Sequence, residues 1–156
     1  MIQIEGIYSV LRVVDGDGFI ASHFISNEIF EFRLCGLDAP EIKFCNKLRQ
    51  DERELHIAGS LLVELGHISA SYLRSLLPPG TQVSIKQEPQ NLEDKYKRKL
   101  CYAYFKDGTC INEKIIEEGY AKAYSKCYCE ELSKYQLLNT LAKQNSKGLY
   151  NIVEIF

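Results

Sequence analysis

The chain has 156 residues with a formal net charge of −2, and 46% of its residues are hydrophobic and 26% charged. This length suits one domain with its own core and is short for two, so we predict a single domain over residues 1–156. The composition is that of an ordinary globular protein, without the strongly basic footprint usual for nucleic-acid-binding domains. This composition neither predicts nor excludes a nucleic-acid substrate.

No stretch approaches the roughly 20 apolar residues that cross a bilayer, and the first residues lack the pattern of a signal peptide. We therefore expect no membrane partner, and either a cytoplasmic protein or an exported one whose signal has been removed. A monomer is the default expectation. The cysteines form no C-x-x-C pair, which favours free thiols, with disulfides in an exported protein as the alternative. They stand at positions 35, 45, 101, 110, 127 and 129.

Five segments rich in β-branched and aromatic residues predict strands. They are residues 7–14, 19–24, 29–35, 81–87 and 99–105. An Asp-Gly-Asp-Gly turn joins the first two, and Asp107-Gly108 follows the last as a hairpin signal.

Three further segments, 59–77, 112–119 and about 130–146, predict helices. In the first, an apolar stripe recurs at helical spacing and should face the core. Its members are Leu61, Leu65, Ile68, Tyr72 and Leu76. Asn112 is the expected cap of the second helix and Gly119 its end. The last helix should bury Leu132, Tyr135, Leu138 and Leu141 or Ala142. Together these segments predict an α+β domain with about five strands and three to four helices.

The stretch "VVDGDGF" places Asp15 and Asp17 at the end of a predicted strand. A calcium EF-hand loop would need different residues where Phe19 and Ile20 stand, so that interpretation fails. An ordinary Asp-Gly turn remains the alternative to a functional site.

The stretch "FRLCGLDAPE" ends a predicted strand with Asp38 and Glu41. Pro40 pushes Ala39 into an extended conformation, which could hold the Ala39 carbonyl outward. The two carboxylates and this carbonyl would then converge, and hard cations such as calcium take this mixture of oxygen ligands. A solvated turn is the alternative.

In "EDKYKRKLCY", Arg98 stands where a charged loop enters a predicted strand, from which it could reach over a barrel mouth. A solvated charged face is the alternative. The three histidines, His23, His56 and His67, match no metal-binding spacing and are interpreted as surface or packing residues.

The order of these stretches is more specific than any one of them. Asp-Gly-Asp, then Arg…Asp-x-Pro-Glu, then Asp-Lys-Tyr-x-Arg closely resembles the staphylococcal nuclease (thermonuclease) family. "INEKIIEEGYAKAY" and the closing helix with "KGLY" are similar to that family too, so the resemblance spans about residues 6–150. It implies an OB-fold, a five-stranded barrel with three to four packed helices.

The resemblance also implies a calcium-dependent nuclease that hydrolyses DNA or RNA by water attack at phosphorus and leaves 3′-phosphate ends. The metal ligands that it implies are Asp17, Asp38 and the main-chain carbonyl of Ala39. The catalytic residues that it implies are Arg33, Glu41 and Arg98. The substrate-binding residues that it implies are Lys95, Tyr96 and Tyr124. The chemistry is coherent, because a metal ion and two guanidiniums can neutralise an anionic phosphodiester that would otherwise repel its nucleophile.

Four departures from the family pattern bear on this expectation. Gly18 and Ala39 replace common threonines, although a main-chain ligand survives the second change. Lys97 replaces a common glycine, so if that position needs a positive φ the turn is strained and Arg98 could move. Residues 42–65 form a longer segment than usual and could add a helix beside the site.

Two other classes of function compete with a nuclease. One is a catalytically inactive nuclease-like module that binds nucleic acid or a protein partner. The other is a generic single-strand-binding OB-fold, which should show aromatic residues on strands and a basic groove. The residues that such modules lose are all present here and favour the nuclease. They are Asp17, Arg33, Asp38, Glu41 and Arg98.

Overall fold

Five strands form a closed barrel in the computed structural model, which describes residues 3–156 and leaves Met1 and Ile2 of the predicted domain outside the described residues. The barrel strands are β1 (Gln3–Val13), β2 (Gly18–His23), β3 (Ile29–Leu34), β5 (Gln82–Gln87) and β6 (Lys99–Tyr104). All five predicted strands are confirmed, and the first begins earlier than expected.

The barrel closes in the order β1-β2-β3-β6-β5, with β3 and β6 parallel and the other pairs antiparallel. β1 pairs with both β2 and β5 and has a register irregularity against each of them, between Val10 and Arg12 and between Ile4 and Gly6. Such bulges increase the local twist that lets a small sheet close on itself. This closed barrel with packed helices is the predicted α+β OB-fold.

Two very short strands were not predicted from the sequence. β4 (Leu37–Asp38) pairs with β7 (Lys122–Ala123), and this register places Asp38 opposite Lys122. Two residues are too few to show an alternating pattern, so only the folded chain reveals the pair.

Four α-helices and a short 3₁₀ helix complete the described structure. They are α1 (Asn46–Leu55), α2 (Gly59–Leu76), α3 (Ile111–Glu117), α4 (Leu132–Gln144) and the 3₁₀ helix Gly148–Asn151. α1 is the additional helix anticipated within residues 42–65. The Cys45 sulfur caps its start by accepting from the Leu48 amide at 3.4 Å, and His56 ends it in a left-handed conformation with φ 56°.

The predicted apolar stripe of α2 faces the core except at Ile68, where the prediction is wrong. Ile68 is 40% exposed, whereas Leu65 is fully buried. The other three members, Leu61, Tyr72 and Leu76, are partly buried and pack against the apolar core. The buried residues of α2 are Gly59, Leu62, Leu65, Gly66, Ser69, Ala70 and Leu73. Small side chains occupy this face because the helix approaches neighbouring backbone closely, which a hydrophobicity pattern does not record.

The predicted capping role of Asn112 is also wrong. α3 begins at Ile111, so Asn112 lies inside the helix and is fully buried. Its amide donates to the carbonyls of Cys35 and Cys101, each at 3.1 Å, and its oxygen accepts from the Ala103 amide at 3.0 Å. A single side chain thus joins the end of β3 to β6, where the barrel's parallel pair lies.

The ends of α3 and α4 agree better with the sequence. Gly119 follows α3 with φ 77°, the left-handed conformation common after helices. In α4, Tyr135 and Ala142 are buried whereas Leu141 is 45% exposed, which decides between the two predicted positions.

The apolar interior has two parts. The first fills the barrel and includes Phe19, Phe32, Leu34, Ile85 and Tyr102. The second lies beneath α1 and α2 and includes Leu48, Leu62, Leu65, Leu149 and Phe156. All six cysteines are free, as predicted. Within the described residues, no helix has both the length and the apolar character required to cross a membrane.

Candidate active site

Arg33 joins the two acidic motifs of the sequence. It lies opposite Gly18 in the β2–β3 register, so Asp17 stands directly beside it. The two terminal nitrogens of the guanidinium contact Asp17 Oδ2 at 2.6 Å and Asp38 Oδ1 at 3.0 Å. Both carboxylates are nearly buried, and the arginine is the group that holds them at one point.

Ala39 belongs to the same cluster through its backbone. Its amide donates to Asp17 Oδ2 at 2.8 Å, which fixes the Asp38–Glu41 loop against the Asp-Gly-Asp turn. The turn is itself ordered by Asp15, whose Oδ1 accepts from the Asp17 amide at 3.1 Å. The structure therefore brings together Asp17, Arg33, Asp38 and Ala39.

The small buried face of α2 supports both loops of the site. A methyl group on Gly66 would lie 2.4 Å from the Glu41 carbonyl oxygen, so only glycine lets the helix approach this closely. A methyl group on Gly16 would lie 2.1 Å from the Ser69 hydroxyl. Ser69 is held by its own hydrogen bond to the Tyr120 carbonyl, at 2.6 Å. α2 thus acts as the rigid floor of the site.

α1 brings a lysine into the cluster that sequence reasoning missed. The Lys47 ammonium lies 3.0 Å from Asp38 Oδ2, 3.2 Å from Glu41 Oε1 and 3.3 Å from Asp51 Oδ2. The only local signal was the four-residue spacing of Lys47 and Asp51, which is common on solvated helices. The docking of α1 against the Asp38–Glu41 loop could not be read from that spacing.

Lys122 is a second missed cation. Its ammonium donates to the Phe156 carbonyl at 2.8 Å, and β7 places it opposite Asp38. Between α1 and this loop lies a cavity of about 10 Å³, lined in part by Asp38, Glu41 and Lys122. That volume is about one water molecule, so this cavity is too small to hold a nucleotide.

Burial and charge act against each other in this cluster. Burial by itself lowers the pKa of Arg33, but Asp17 and Asp38 outweigh it and raise that pKa above its ordinary value. Burial raises the pKa of Asp17, with Arg33 opposing the shift and Asp15 adding to it. Lys122 has a lowered pKa, because its burial outweighs the attraction of Asp38. The arginine therefore stays charged while it neutralises buried carboxylates.

Arg98 is engaged by side chains outside this cluster. Its Nε donates to Asp94 Oδ2 at 2.7 Å, and its guanidinium lies 5.5 Å from the centre of the Tyr96 ring. Lys97, immediately before it, has φ 66°, so the position where the family has glycine does require a left-handed conformation. In this structure the guanidinium of Arg98 is held by its own turn.

The predicted substrate-binding residues lie in two places. Lys95 and Tyr96 are exposed on the same turn as Arg98, with the Lys95 ammonium 5.0 Å from the centre of the Tyr96 ring. Tyr124 is half-buried, and its amide donates to the Gly36 carbonyl at 2.9 Å. Burial raises the pKa of the Tyr124 phenol and the nearby Asp38 carboxylate adds to the shift, which puts Tyr124 beside the cluster.

The donor set of the cluster fits a hard divalent cation. Asp17 and Asp38 contact one guanidinium and offer carboxylate oxygens, which are ligands that calcium takes. The Ala39 contact in the structure is its amide, which donates to Asp17 Oδ2. Protein cations already contact these carboxylates, because Arg33 takes one oxygen of each and Lys47 takes the other oxygen of Asp38. A bound metal ion would share the negative charge of Asp17 and Asp38 with Arg33 and Lys47, or would displace one of these cations from the carboxylates.

The closed barrel, its helices and a guanidinium set between buried carboxylates define an OB-fold protein with a cluster of acidic and basic side chains beside the barrel. A family model described as "Staphylococcal nuclease homologue" matches residues 31–152, and the chain belongs to this family. The match includes Arg33, Asp38, Glu41 and Arg98, and it begins after Asp17.

Two relatives align over nearly the whole chain. "Endonuclease YhcR" of Bacillus subtilis (strain 168) is 28% identical over 152 residues, which are 96% of this chain and 12% of that protein. "Uncharacterized protein MJ1439" of Methanocaldococcus jannaschii is 26% identical over 152 residues, 91% of this chain and 70% of that protein. The chain thus spans about one eighth of the Bacillus endonuclease that it resembles.

Proposed function

We propose that this chain is a calcium-dependent nuclease that hydrolyses the phosphodiester bonds of DNA or RNA, acting as a single domain. The observation that carries the proposal is the position of the Arg33 guanidinium between the carboxylates of Asp17 and Asp38. Asp38 begins the loop that also bears Glu41. Membership of the staphylococcal nuclease homologue family and the similarity to a Bacillus endonuclease support it.

Asp17, Asp38 and the carbonyl of Ala39 would hold the calcium ion. When bound, calcium supplies positive charge that neutralises a phosphoryl oxygen and makes water a better nucleophile. The burial of the two carboxylates suits this role, since their side chains are only 8% and 5% exposed.

Glu41 is the accessible carboxylate of the cluster, with a side chain that is 27% exposed. We assign Glu41 the role of activating the attacking water: its carboxylate accepts a proton from that water or orients it toward phosphorus. Arg33 and Arg98 donate to the phosphate oxygens as negative charge builds on them. On the family's pattern, water displaces the 5′ oxygen and leaves a 3′-phosphate end.

The turn that bears Arg98 supplies further substrate contacts in this proposal. Lys95 is an exposed positive charge for a neighbouring phosphate, and Tyr96, which is 68% exposed, can contact the same phosphate through its hydroxyl. Tyr124 lies apart from this turn and would line the nucleotide-binding surface on the Asp38 side of the site.

A binding module without catalytic activity is the second candidate. Two observations favour it: Asp94 holds Arg98 through its Nε, and Lys47 already contacts Asp38 and Glu41. If neither contact opens, the chain would bind nucleic acid and leave it intact.

Cleavage of single-stranded DNA, double-stranded DNA and RNA, with calcium titrated against EGTA, tests the proposal. Glu41→Gln should retain nucleic-acid binding and lose about 100-fold or more in rate, since general acid–base groups contribute at this scale. Glu117→Gln, an exposed glutamate on α3, is the matched control and should cleave like the wild type. Arg98→Ala should also lose activity, with Arg74→Ala at the end of α2 as its control.

The two candidates give different results in this experiment. Calcium-dependent cleavage that is lost in Glu41→Gln and kept in Glu117→Gln supports the nuclease. Binding of nucleic acid without cleavage at any calcium concentration supports the module. Calcium-independent cleavage, or cleavage unaffected by Glu41→Gln, would contradict the assigned chemistry.

A further inference from the structure

A second cluster of metal-ligand type lies at another position in the fold, and the proposed nuclease reaction does not use it. It consists of Cys35, Glu88 and Cys129, which are all buried and whose ligand atoms lie within 4.8 Å of one another. Cys35 follows β3, Glu88 follows β5, and Cys129 precedes α4. Three segments far apart in the sequence therefore bring two sulfurs and a carboxylate to one point.

Glu88 is the unusual member of the cluster. Its side chain is almost fully buried, and one of its oxygens, Oε2, is buried without a hydrogen-bond partner. The other oxygen accepts from the Glu130 amide at 2.8 Å and from the Tyr102 hydroxyl. Among the described side chains, those beside this carboxylate are the thiols of Cys35 and Cys129 and the phenol of Tyr102, and none of these three is a cation. A buried carboxylate oxygen in such surroundings is costly unless a cation or a proton compensates it.

The backbone around the cluster leaves room for the sulfurs. Gly36 has φ 79°, and a methyl group there would lie 2.4 Å from the Cys129 sulfur. The Tyr102 oxygen lies 3.2 Å from the same sulfur, so a fourth polar atom stands at the edge of the cluster. The four residues that supply these atoms, Cys35, Glu88, Tyr102 and Cys129, are all buried.

We propose that Cys35, Glu88 and Cys129 form a structural zinc site, with Tyr102 at the fourth position. Zinc binds thiolates at about 2.3 Å and carboxylates at about 2.0–2.2 Å, so ligand atoms around one tetrahedral ion lie about 3.3–3.8 Å apart. The observed cluster needs only small inward movements to reach that spacing. A hard cation such as calcium avoids sulfur, so this site and the carboxylate cluster would select different metals.

The site would tie the ends of β3 and β5 to the start of α4. β3 carries Arg33, two residues before Cys35, so zinc would also fix the strand from which Arg33 projects. Binding requires both cysteines as thiolates and therefore releases protons.

Titration of the reduced, metal-free full chain with Co²⁺, an absorbing substitute for zinc, tests the site. Sulfur ligation gives a thiolate-to-cobalt charge-transfer band in the near ultraviolet, which carboxylate binding does not give. The band should saturate at one cobalt per chain and be displaced by Zn²⁺. Cys35→Ser and Cys129→Ser should abolish it, Glu88→Gln should weaken binding, and Tyr102→Phe should weaken it by about 10- to 100-fold.

Two control variants show whether the band comes from this cluster. Cys110→Ser removes a buried cysteine outside the cluster and should keep the full band. Asp38→Asn removes a carboxylate of the nuclease site and should keep it too. A wild-type protein without the band, or a band that survives Cys35→Ser or Cys129→Ser, would overturn the proposal.

A measurement on the wild type covers the case in which a cysteine variant does not fold. Cys35 and Cys129 are buried even without metal, so alkylation is done in a denaturant concentration that lets the chain open transiently, and is followed by peptide mass analysis. Zn²⁺ should slow the reaction of Cys35 and Cys129, whereas the exposed Cys127 reacts equally with and without metal. Equal reactivity of Cys35 with and without Zn²⁺ would contradict the site. Recovery of Cys35 and Cys129 as a disulfide from metal-containing, unreduced protein would overturn the zinc site, because the two sulfurs would then form a covalent crosslink.

Discussion

Lys47 places its ammonium 3.0 Å from the carboxylate of Asp38, where the proposed nuclease needs a divalent cation. The lysine comes from α1, whose Leu48 is fully buried in the second apolar cluster, so its backbone is firmly positioned. Burial lowers the pKa of Lys47, but Asp38, Glu41 and Asp51 outweigh that effect and raise it above its ordinary value. A permanent positive charge therefore stands against a proposed metal ligand.

Lys47→Met should tighten calcium binding by about tenfold. The substitution keeps the apolar stem and removes a charge that competes for Asp38 and Glu41, and tenfold corresponds to about 1.4 kcal/mol. Isothermal titration calorimetry of calcium binding measures the change. Lys43→Met, at an exposed lysine of the same segment, is the control and should bind as the wild type does. Weaker binding in Lys47→Met would mean that the lysine organises the carboxylates rather than competing for them.

Gly66→Ala should displace the loop that bears Glu41. The added methyl group would meet backbone atoms of Pro40 and Glu41 at 2.4–2.7 Å, and overpacking of this kind costs about 1–3 kcal/mol. Urea unfolding measures the loss of stability, and the cleavage assay measures the displaced carboxylate. Gly59→Ala on the same helix meets the movable ends of Phe44 and Glu52 and should cost less. Equal losses in the two variants would argue against a special role for the contact at Gly66.

Asn112→Ala should destabilise the barrel by about 2–4 kcal/mol. It would leave the Cys35 carbonyl and the Ala103 amide buried without this partner, at about 1–3 kcal/mol for each group left unsatisfied, whereas the Cys101 carbonyl still accepts from the Cys35 amide. Asn112→Asp should be at least as harmful, because a carboxylate would face two carbonyl oxygens. Chemical denaturation measures both changes. An Asn112→Ala loss below about 1 kcal/mol would show that water replaces the amide.

Lys97→Gly should leave stability unchanged or raise it by up to about 1 kcal/mol. Lys97 has φ 66°, a conformation that costs a non-glycine residue about 1–2 kcal/mol, and glycine removes that cost while adding entropy to the unfolded chain. Lys95, two residues earlier, does not have a positive φ, so Lys95→Gly should instead lower the free energy of unfolding by about 0.5–1 kcal/mol. Thermal unfolding of both variants decides the point, and a loss in Lys97→Gly equal to that in Lys95→Gly would contradict it.

The Asp94–Arg98 contact should make a pH-dependent contribution to stability of about 1 kcal/mol or less, the scale of partly exposed ion pairs. Burial raises the pKa of Asp94, but hydrogen bonds from Arg98 and Tyr96 outweigh it and lower that pKa below its ordinary value of 3.8. A lowered folded-state pKa adds stability above the ordinary value, and this stability is lost as pH falls through the folded-state pKa. The difference between wild type and Asp94→Asn should therefore be full at neutral pH and shrink below pH 3.8. A difference that grows on acidification would contradict the assignment.

Local patterns sufficed for much of the fold. Alternating β-branched and aromatic residues predicted the five barrel strands, and the collinear acidic and basic motifs pointed to Arg33, Asp17 and Asp38. The strand patterns are local and the motifs follow one another in chain order, so both can be recognised in the sequence without knowledge of the fold. The prediction missed Gly66 and Ser69 on the buried face of α2, because hydrophobicity does not register close approach of backbone.

Contacts between distant segments had to come from the folded chain. Lys47 reaches Asp38 only because α1 docks on the second apolar cluster, and Asn112 is a buried crosslink only because α3 packs against the parallel β3–β6 pair. Cys35, Glu88 and Cys129 have no shared spacing in the sequence and meet through barrel closure. The sequence by itself determined which segments form strands and helices and which residue types could do chemistry. The tertiary structure decided which charges neutralise one another, because an ion pair depends on distance in space and leaves no period along the chain.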